Sequence, residues 1–476
     1  MADIVLATIN AKWIHPSLAL RLLKANLGDA ANRSEIIEFA LRQPLHEKVN
    51  PILAARPRLL GLSVSIWNHK ASLELLKALD EKWNITGQKP LIVLGGPEVS
   101  WLHEDSEIFR HANYVIRGEG EDSFRSLCYR VFHGQESADT NGNTAVFLES
   151  GDTAVDLNRI KPAYQLYTDE DLEKKLVYVE ASRGCPFGCE FCQGSLKNKA
   201  RDYPLEAFLA EMKQLLDRGA RTFKFLDRSF NLDTGRAAAI MEFFLERIGS
   251  SAKDAFPFCV HFEMVPSRFP PELRELIRRF PPGTLRLELG IQTLNRKAAE
   301  LIHRSWAGDE LEALKFLRAE TNAILHVDLI AGLPGEDLTS FGAGFDRLWQ
   351  TLSFCGSERE SRFEIQLGIL KCLPGTPIMR HNETHGMKYS PEPPYELIET
   401  AALSAPELDR LKNFARFWET IVNRNSFPDL IPHILPPGEN VFGIFMDLSD
   451  KLLEHFGKNW GIDKEKLKSF LENERM

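Results

Sequence analysis

Cys185, Cys189 and Cys192 stand at x3 and x2 spacing on one short stretch of a 476-residue chain that holds seven cysteines. Thiolates are soft ligands, suited to iron–sulfur clusters and to zinc. Gly184, Pro186 and Gly188 interrupt any regular helix or strand there, so the backbone can bend around a metal and turn three sulfurs inward. No fourth cysteine follows in the loop. A four-iron cubane on three protein thiolates keeps one iron open, as catalytic metal sites keep a position free while structural sites close. An open iron can chelate a cosubstrate. The other readings of the trio are a zinc site completed by a distant histidine, and three cysteines packed for bulk.

The spacing, with Phe191 directly before the last cysteine, resembles the cluster loop of the radical S-adenosylmethionine superfamily. That resemblance implies a 4Fe-4S cluster whose open iron takes the amino and carboxylate groups of S-adenosylmethionine. It also implies an external one-electron donor of the flavodoxin or ferredoxin type, and reductive cleavage of the sulfonium to a 5′-deoxyadenosyl radical.

Composition sets the frame for these residues. Charged residues make up 26% and hydrophobic ones 43%, the balance of a globular chain, and the length suggests about three domains. With 58 basic against 67 acidic residues the net charge is −9, which argues against a nucleic-acid groove as the main feature. No apolar run reaches the ~18 residues of a membrane span. The start of the chain lacks the basic and apolar regions of a signal peptide, and the odd cysteine count suits a reducing compartment, so the expected location is the cytoplasm.

Residues 3–130 alternate short apolar runs with helical patterns, which predicts a doubly wound α/β sheet. Strands are expected at 4–8, 59–65, 91–94 and 114–116. In such sheets ligands bind beyond the carboxyl ends of the strands, where Ser63, Ser65, Gly95, Gly96, Gly118 and Gly120 fall. Tight strand-to-helix turns need glycine as well, so both readings stay open. Cys128, on a helical face with Phe124, Leu127 and Val131, reads as a core thiol.

A flavodoxin-like unit of this kind ahead of a radical S-adenosylmethionine loop resembles the cobalamin-binding domain of the cobalamin-dependent branch of that superfamily. The resemblance covers residues 3 to about 380 and implies cobalamin at those strand ends. One departure concerns the lower face of the cobalt. Modules that ligate it carry Asp-x-His-x-x-Gly, and this chain has no Asp-x-His. His15, the histidine of the first loop, is the candidate for that role, against a surface or capping group, and a cobalt without a lower protein ligand is the preferred reading.

Residues 134–175 form a polar linker in which segments around Val146 and Val155 are expected to pair as a hairpin. From 176 the pattern is repeated strand then helix, with strands at 176–181, 222–226, 257–263, 284–289, 323–330 and 363–370, which predicts a partial (β/α)6 barrel. The domains are therefore 1–133, cobalamin-binding-like; 134–175, linker; 176–382, barrel; and 383–476, helical.

Family-like strand endings place further residues. The resemblance implies that Asp227 accepts from the ammonium of S-adenosylmethionine, with a helix-capping acid as the other reading. It implies cosubstrate contacts for Glu288 and Gln292 at the end of strand four, Gly332 beside the adenine, and Arg304 at the carboxylate. Glu336 caps the following helix in the simpler reading. Cys372, at the end of strand six, reads as a core or bystander thiol, with a hydrogen relay or a ligand as the other reading; Cys259 and Cys355 have no cluster spacing. In the tail, Ser404 and Glu407 form a capping box before a helix with Leu408, Leu411, Phe414, Trp418 and Ile421 on one side, and further helices are expected at 442–456 and 463–473. This region resembles the helical C-terminal part of an uncharacterised family in the same branch.

The preferred reading is a cobalamin-dependent radical S-adenosylmethionine enzyme acting as a methyltransferase on an unactivated carbon of a small-molecule substrate, with ring rearrangement or cyclisation using the same parts. The alternatives are a radical enzyme whose first domain does not bind cobalamin, and a cluster- or cobalamin-dependent sensor without turnover. Methylthiotransferases carry three further cysteines in the N-terminal domain, where this chain has only Cys128.

Overall fold

The computed structural model describes residues 2–135, 145–149, 154–196, 199–250, 258–304, 308–353, 362–435 and 440–474. Cys355 and most of the polar stretch 134–143 lie outside the described residues. The chain divides into two compact units, one of Met1–Ser182 with Arg201–Leu226, the other of Arg183–Ala200 with Asp227–Met476. The architecture is α/β, with a doubly wound parallel sheet at the start, a strand-and-helix repeat in the middle and helices at the end.

The first unit is built on β1 (Ile4–Asn10), α1 (Leu18–Ala25), β2 (Ser34–Ala40), α2 (Leu45–Ala55), β3 (Leu59–Ser63), α3 (His69–Thr86), β4 (Leu91–Gly95), β5 (Tyr114–Arg117), α4 (Glu121–Phe132) and β6 (Val146–Glu149). The strands are parallel in the order β2-β1-β3-β4-β5-β6. Alternation within each strand feeds two cores. Val5, Ala7 and Ile9 pack with Leu75, Leu76, Leu79 and Trp83 on one face, while Ile4 and Leu6 pack with Leu20, Phe124, Leu127 and Cys128 on the other. Cys128 is thus a core thiol, and burial pushes it up to about 12.

The expected hairpin between Val146 and Val155 is not formed. β5 presents an open edge, and Val146–Glu149 takes those hydrogen bonds in parallel as a sixth strand. The Val155 amide instead donates to the Glu119 carboxylate at 2.9 Å. This unit also contains α5 (Asp169–Lys174), β7 (Val177–Val179), α6 (Leu205–Asp217) and β10 (Thr222–Phe225), with β7 and β10 parallel. The short strands β8 (Ser182–Gly184) and β9 (Ala200–Asp202) flank the cysteine loop in sequence.

The second unit runs through α7 (Thr234–Ser250), β11 (Cys259–Met264), α8 (Pro271–Arg279), β12 (Leu285–Gln292), α9 (Arg296–Leu301), α10 (Glu310–Glu320), β13 (Ile324–Ala331), α11 (Leu338–Ser353) and β14 (Phe363–Ile369). All six strands expected after residue 176 are present. β11 to β14 pair in sequence order and parallel. Their period is two: Leu285, Leu287, Leu289 and Ile291 are buried, and Arg286, Glu288 and Gln292 take the opposite face.

Of the tail, α12 (Ala405–Trp418) opens with the Ser404–Glu407 capping box and α13 (Val441–Phe456) packs beside it. Phe345 of α11 meets Phe414 and Trp418 edge-on at ring-centroid distances of 5.2 and 4.8 Å, and Phe445 closes on Phe414 at 5.0 Å. The aromatic stripe is core. Among the described residues no helix is long and apolar enough to cross a membrane.

Gly96 follows β4 with φ of +107°, and a Cβ there would lie 2.5 Å from the Val64 carbonyl oxygen. Gly96→Ala is therefore expected to destabilise the first unit by more than about 1 kcal/mol, read as a shift of its urea transition to lower concentration.

Candidate functional site

The cysteine loop belongs to the second unit, and its shape depends on backbone that only glycine allows. Gly184 has φ of +93°, and a Cβ on it would stand 2.1 Å from the Lys199 carbonyl oxygen. The Cys192 amide donates to the Cys189 carbonyl at 3.1 Å, and the Ser195 hydroxyl lies 2.8 and 2.7 Å from the Cys189 and Cys192 carbonyls. Cys185 and Cys192 are half-buried, Cys189 is buried, and all three are free thiols. Burial pushes the Cys185 thiol up, partly offset by hydrogen bonds from the Phe187 backbone and the Ser229 side chain.

Between the cysteines, Glu190 fixes the loop to two distant segments. Its carboxylate, only 1% exposed, lies 2.9 Å from His381 Nε2 and 3.1 Å from His303 Nδ1, and it also pairs with Arg380. Its backbone donates to the Ile302 carbonyl at 3.1 Å and accepts from the Ile378 amide at 3.2 Å. A buried carboxylate demands such partners, since unpaired it would cost several kcal/mol.

The expected cosubstrate residues gather in the same unit. Asp227 is buried at the end of β10, followed by Arg228, whose side chain is 61% exposed and lies 3.5 Å from Glu263. Asn231, fully buried, braces the next turn by donating to the Val265 and Arg268 carbonyls and accepting from the Val265 amide. On β12, Glu288 pairs with His261 of β11 at 3.1 Å, so protein supplies one of the partners its charge needs.

Register slips between Gly290 and Gln292, a bulge that leaves Gln292 with φ of +69°. A non-glycine residue held there stores strain, the kind that clusters at ligand sites. The Gln292 amide folds back over Gly290, 2.5 Å from where a Cβ would sit. Arg304 donates to the Gly290 carbonyl and reaches Cys189 Sγ at 3.6 Å. Gly332, with φ of +88°, ends β13 against Leu397.

On the same face, Arg286 Nη2 donates to both Glu364 carboxylate oxygens at 2.7 and 2.6 Å, and His326 Nδ1 lies 2.9 Å from Glu364. Although burial works against the charge, Glu364, Asp328 and Gln366 outweigh it and hold His326 above its ordinary value. Glu336 does not cap α11; Asp337 does, accepting from the Ser340 amide at 2.7 Å. Glu336 is buried with the Thr293 hydroxyl donating at 2.6 Å, and its other oxygen has no partner among the described residues. Cys372 is half-buried after β14, with burial pushing its thiol up.

In the first unit, the Asn68 amide ties the Ile9 carbonyl at 2.8 Å and its oxygen accepts from the Ser65 amide at 2.8 Å. Ser63 accepts from the Thr8 hydroxyl through its carbonyl at 3.1 Å. Gly95 closes β4 with its carbonyl accepting from the Val64 amide, and Gly118, with φ of +83°, donates to the Ser100 hydroxyl at 3.1 Å. At Gly96 the crowding comes from Val64 rather than from open space, so the fold itself explains that glycine. His15 shares a 2.8 Å hydrogen bond with the Tyr178 hydroxyl, and burial, helped by Lys12 and Lys224, holds its pKa below the ordinary imidazole value.

Both units meet the demands of the groups the sequence implies. Three soft sulfurs lie on one loop with a guanidinium beside one of them. Three thiolates on one loop are the soft donor set that iron–sulfur clusters take. At the strand ends of the first unit, Trp13, Trp67 and Trp101 are 51%, 52% and 39% exposed, flat surfaces suited to a broad, rigid ring. Glu190 and its partners were missed in the sequence: an acid inside a cysteine motif is a signal, but Arg380 and His381 lie too far along the chain to be tied to it.

The Radical SAM superfamily profile matches residues 179–346, the B12 binding domain profile residues 4–128, and that of a protein of unknown function (DUF4080) residues 383–474. Among curated proteins, the ribosomal protein uS12 methylthiotransferase RimO of Synechocystis sp. is 27% identical over 38% of this chain and 43% of its own length. An uncharacterized methyltransferase of Pyrococcus horikoshii is 30% identical over 31% and 36%. The alignments thus span less than half of these relatives. Two solved structures share the fold. The radical S-adenosylmethionine methyltransferase TsrM from Kitasatospora setae, with tryptophan and a SAM analog bound, has TM-score 0.62 at 16% identity over 86% of this chain and 81% of its own. The cobalamin-dependent S-adenosylmethionine radical enzyme OxsB, with aqua-cobalamin bound, has TM-score 0.63 at 14% identity over 97% and 77%.

Glu190→Ala is expected to leave His381 facing a void and to cost about 3 kcal/mol, with iron uptake on anaerobic reconstitution falling before the fold is lost; iron analysis alongside urea unfolding checks this. Burial raises Glu336 from 4.5 to about 7. Because the folded-state value is the higher one, its contribution to stability is complete below about 4.5 and is lost as pH rises through about 7. Glu336→Gln should therefore flatten the fall in urea midpoint between acid and mildly alkaline pH, a difference of about 3 kcal/mol.

Proposed function

The chain belongs to the radical S-adenosylmethionine enzymes that carry a cobalamin-binding domain, and from that premise we propose that it transfers a methyl group to an unactivated carbon of a small-molecule substrate. The observation that carries the reading is the three-thiol loop without a fourth cysteine, in the same unit as the acids and the bulged strand expected to hold a cosubstrate. When bound, the groups supply the chemistry: a 4Fe-4S cluster and S-adenosylmethionine give a 5′-deoxyadenosyl radical, and cobalamin carries the methyl.

The protein's part is to hold and orient. Cys185, Cys189 and Cys192 bind the cluster. Asp227 and Glu288 balance the cations of S-adenosylmethionine, Gln292 serves its ribose, and Gly332 lets the adenine approach backbone. Ser63, Ser65, Gly95, Gly96 and Gly118 line the strand ends given to cobalamin. His15 has one ring nitrogen engaged by Tyr178, and the favoured reading is a cobalamin that would take no ligand from it. Electrons come from an external donor of flavodoxin or ferredoxin type.

Methylthiotransfer, the activity in the name of the RimO relatives, is the less favoured reading here. Cys128 is the one cysteine of residues 1–133, and it is buried in a helix core.

Anaerobic reconstitution with iron, sulfide, cobalamin and methyl-labelled S-adenosylmethionine tests the proposal. The chain should retain cobalamin and form 5′-deoxyadenosine under reducing conditions, and changing any of Cys185, Cys189 or Cys192 to alanine should reduce that product at least a hundredfold. Cluster and cosubstrate loaded with no 5′-deoxyadenosine formed would refute the enzyme reading. A chain that sheds cobalamin would refute methyl transfer.

A further inference from the structure

Arg304 is placed to serve the cluster rather than the cosubstrate. Its two terminal nitrogens are both engaged with protein: Nη1 lies 3.6 Å from Cys189 Sγ, and Nη2 donates to the Gly290 carbonyl at the bulge of β12. The approach is built by the backbone. After α9 the chain turns through His303, with φ of +53°, and the Arg304 amide donates to the Ala299 carbonyl at 2.9 Å. His303 at that turn pairs with Glu190, the residue after Cys189, so one turn grips the cysteine loop at two successive positions. Cys189 is the one buried thiol of the three, where a partner's charge is least screened by water.

A guanidinium keeps its charge at any working pH and offers its N–H groups in a fixed fork. Hydrogen bonds to ligand sulfurs are among the terms that set a cluster's reduction potential. A cation donating to a thiolate favours the state that has gained an electron. The fork therefore does two things: it holds Cys189 Sγ in register with the end of β12, and it eases the one-electron reduction that an external donor must perform.

We propose that Arg304 is a positioning residue for the cluster that raises its reduction potential through an N–H···S bond to Cys189, instead of binding the carboxylate of S-adenosylmethionine. This rests on the reading that the cysteine loop holds a 4Fe-4S cluster.

The test is a redox titration of the reconstituted enzyme, followed by electron paramagnetic resonance with no S-adenosylmethionine present. In Arg304→Gln the ratio of reduced to oxidised cluster at a fixed poise should fall about tenfold, a shift of about 59 mV to more negative potential for a one-electron couple. Arg304→Lys, which keeps the charge, should recover part of it. Affinity for S-adenosylmethionine, from equilibrium dialysis, should change less than about twofold. An unmoved potential with affinity reduced tenfold or more would overturn the inference and return Arg304 to the carboxylate.

Should Arg304→Gln fail to keep a cluster, the wild-type enzyme grown on nitrogen-15 arginine decides. Pulsed resonance of its reduced cluster should show an arginine nitrogen coupling that Arg304→Lys lacks, and a spectrum identical in the two would overturn the inference. A wild-type chain that takes up no iron or sulfide would overturn the cluster reading and this inference together, an outcome distinct from a loaded cluster whose potential does not move.

Discussion

A loop that must carry three metal-binding thiols cannot be held by the hydrogen-bond ladder of a helix or strand, because its glycines and proline forbid one. Something else must fix it, and here that is the Glu190 carboxylate. With 1% exposure it has no access to water, so its charge must be met by protein, and His381, His303 and Arg380 meet it from two separate segments. The cost of burying a carboxylate is thereby turned into specificity: the loop has one position in which every partner is satisfied. Misplacing the loop would leave the carboxylate unpaired and strip the buried His381 of its charged partner.

The inner face of β11 to β14 follows the same logic at larger scale. Period-two alternation puts apolar residues against the helices and leaves Arg286, Glu288, His326, Asp328 and Glu364 on the other side. Their charges are largely balanced in pairs, Arg286 and His326 against Glu364 and His261 against Glu288. A face so paired is rigid. The departure from regularity comes at its upper end, where the bulge turns Gln292 into the left-handed region and frees the Gly290 carbonyl for Arg304. Strain is thus concentrated where a cosubstrate is expected, on strands too well paired to relax it.

Much of this was legible in the sequence because alternation is a local signal. The six strands after residue 176 follow from apolar spacing alone, and the Ser404–Glu407 box marks its helix start. Two edge strands were not legible. Ser34–Ala40 carries Glu35 and Glu38 within its apolar run, and Val146–Glu149 is too short to separate from a hairpin arm; each owes its existence to a neighbour's open edge. The partners of Glu190 and Glu288 were beyond reach for a different reason. Pairing across 190 residues, as between Glu190 and Arg380, leaves no periodic trace.

The glycines show how one residue type answers two demands that the sequence cannot separate. At Gly96 the space a side chain would need is already filled by the Val64 carbonyl, and at Gly184 by the Lys199 carbonyl, so the fold alone requires them. At Gly290 the occupant is the Gln292 amide, itself a candidate ligand group, so packing and site coincide in one contact. Trp13, Trp67 and Trp101 are a different case: each keeps aromatic area in water at the strand ends of the first sheet, although Lys175 lies over the Trp13 ring and Trp67 Nε1 donates to the Ile9 carbonyl. Partly exposed aromatic area at the edge where such sheets bind ligands carries more weight for a broad cofactor than glycines that the fold demands in any case.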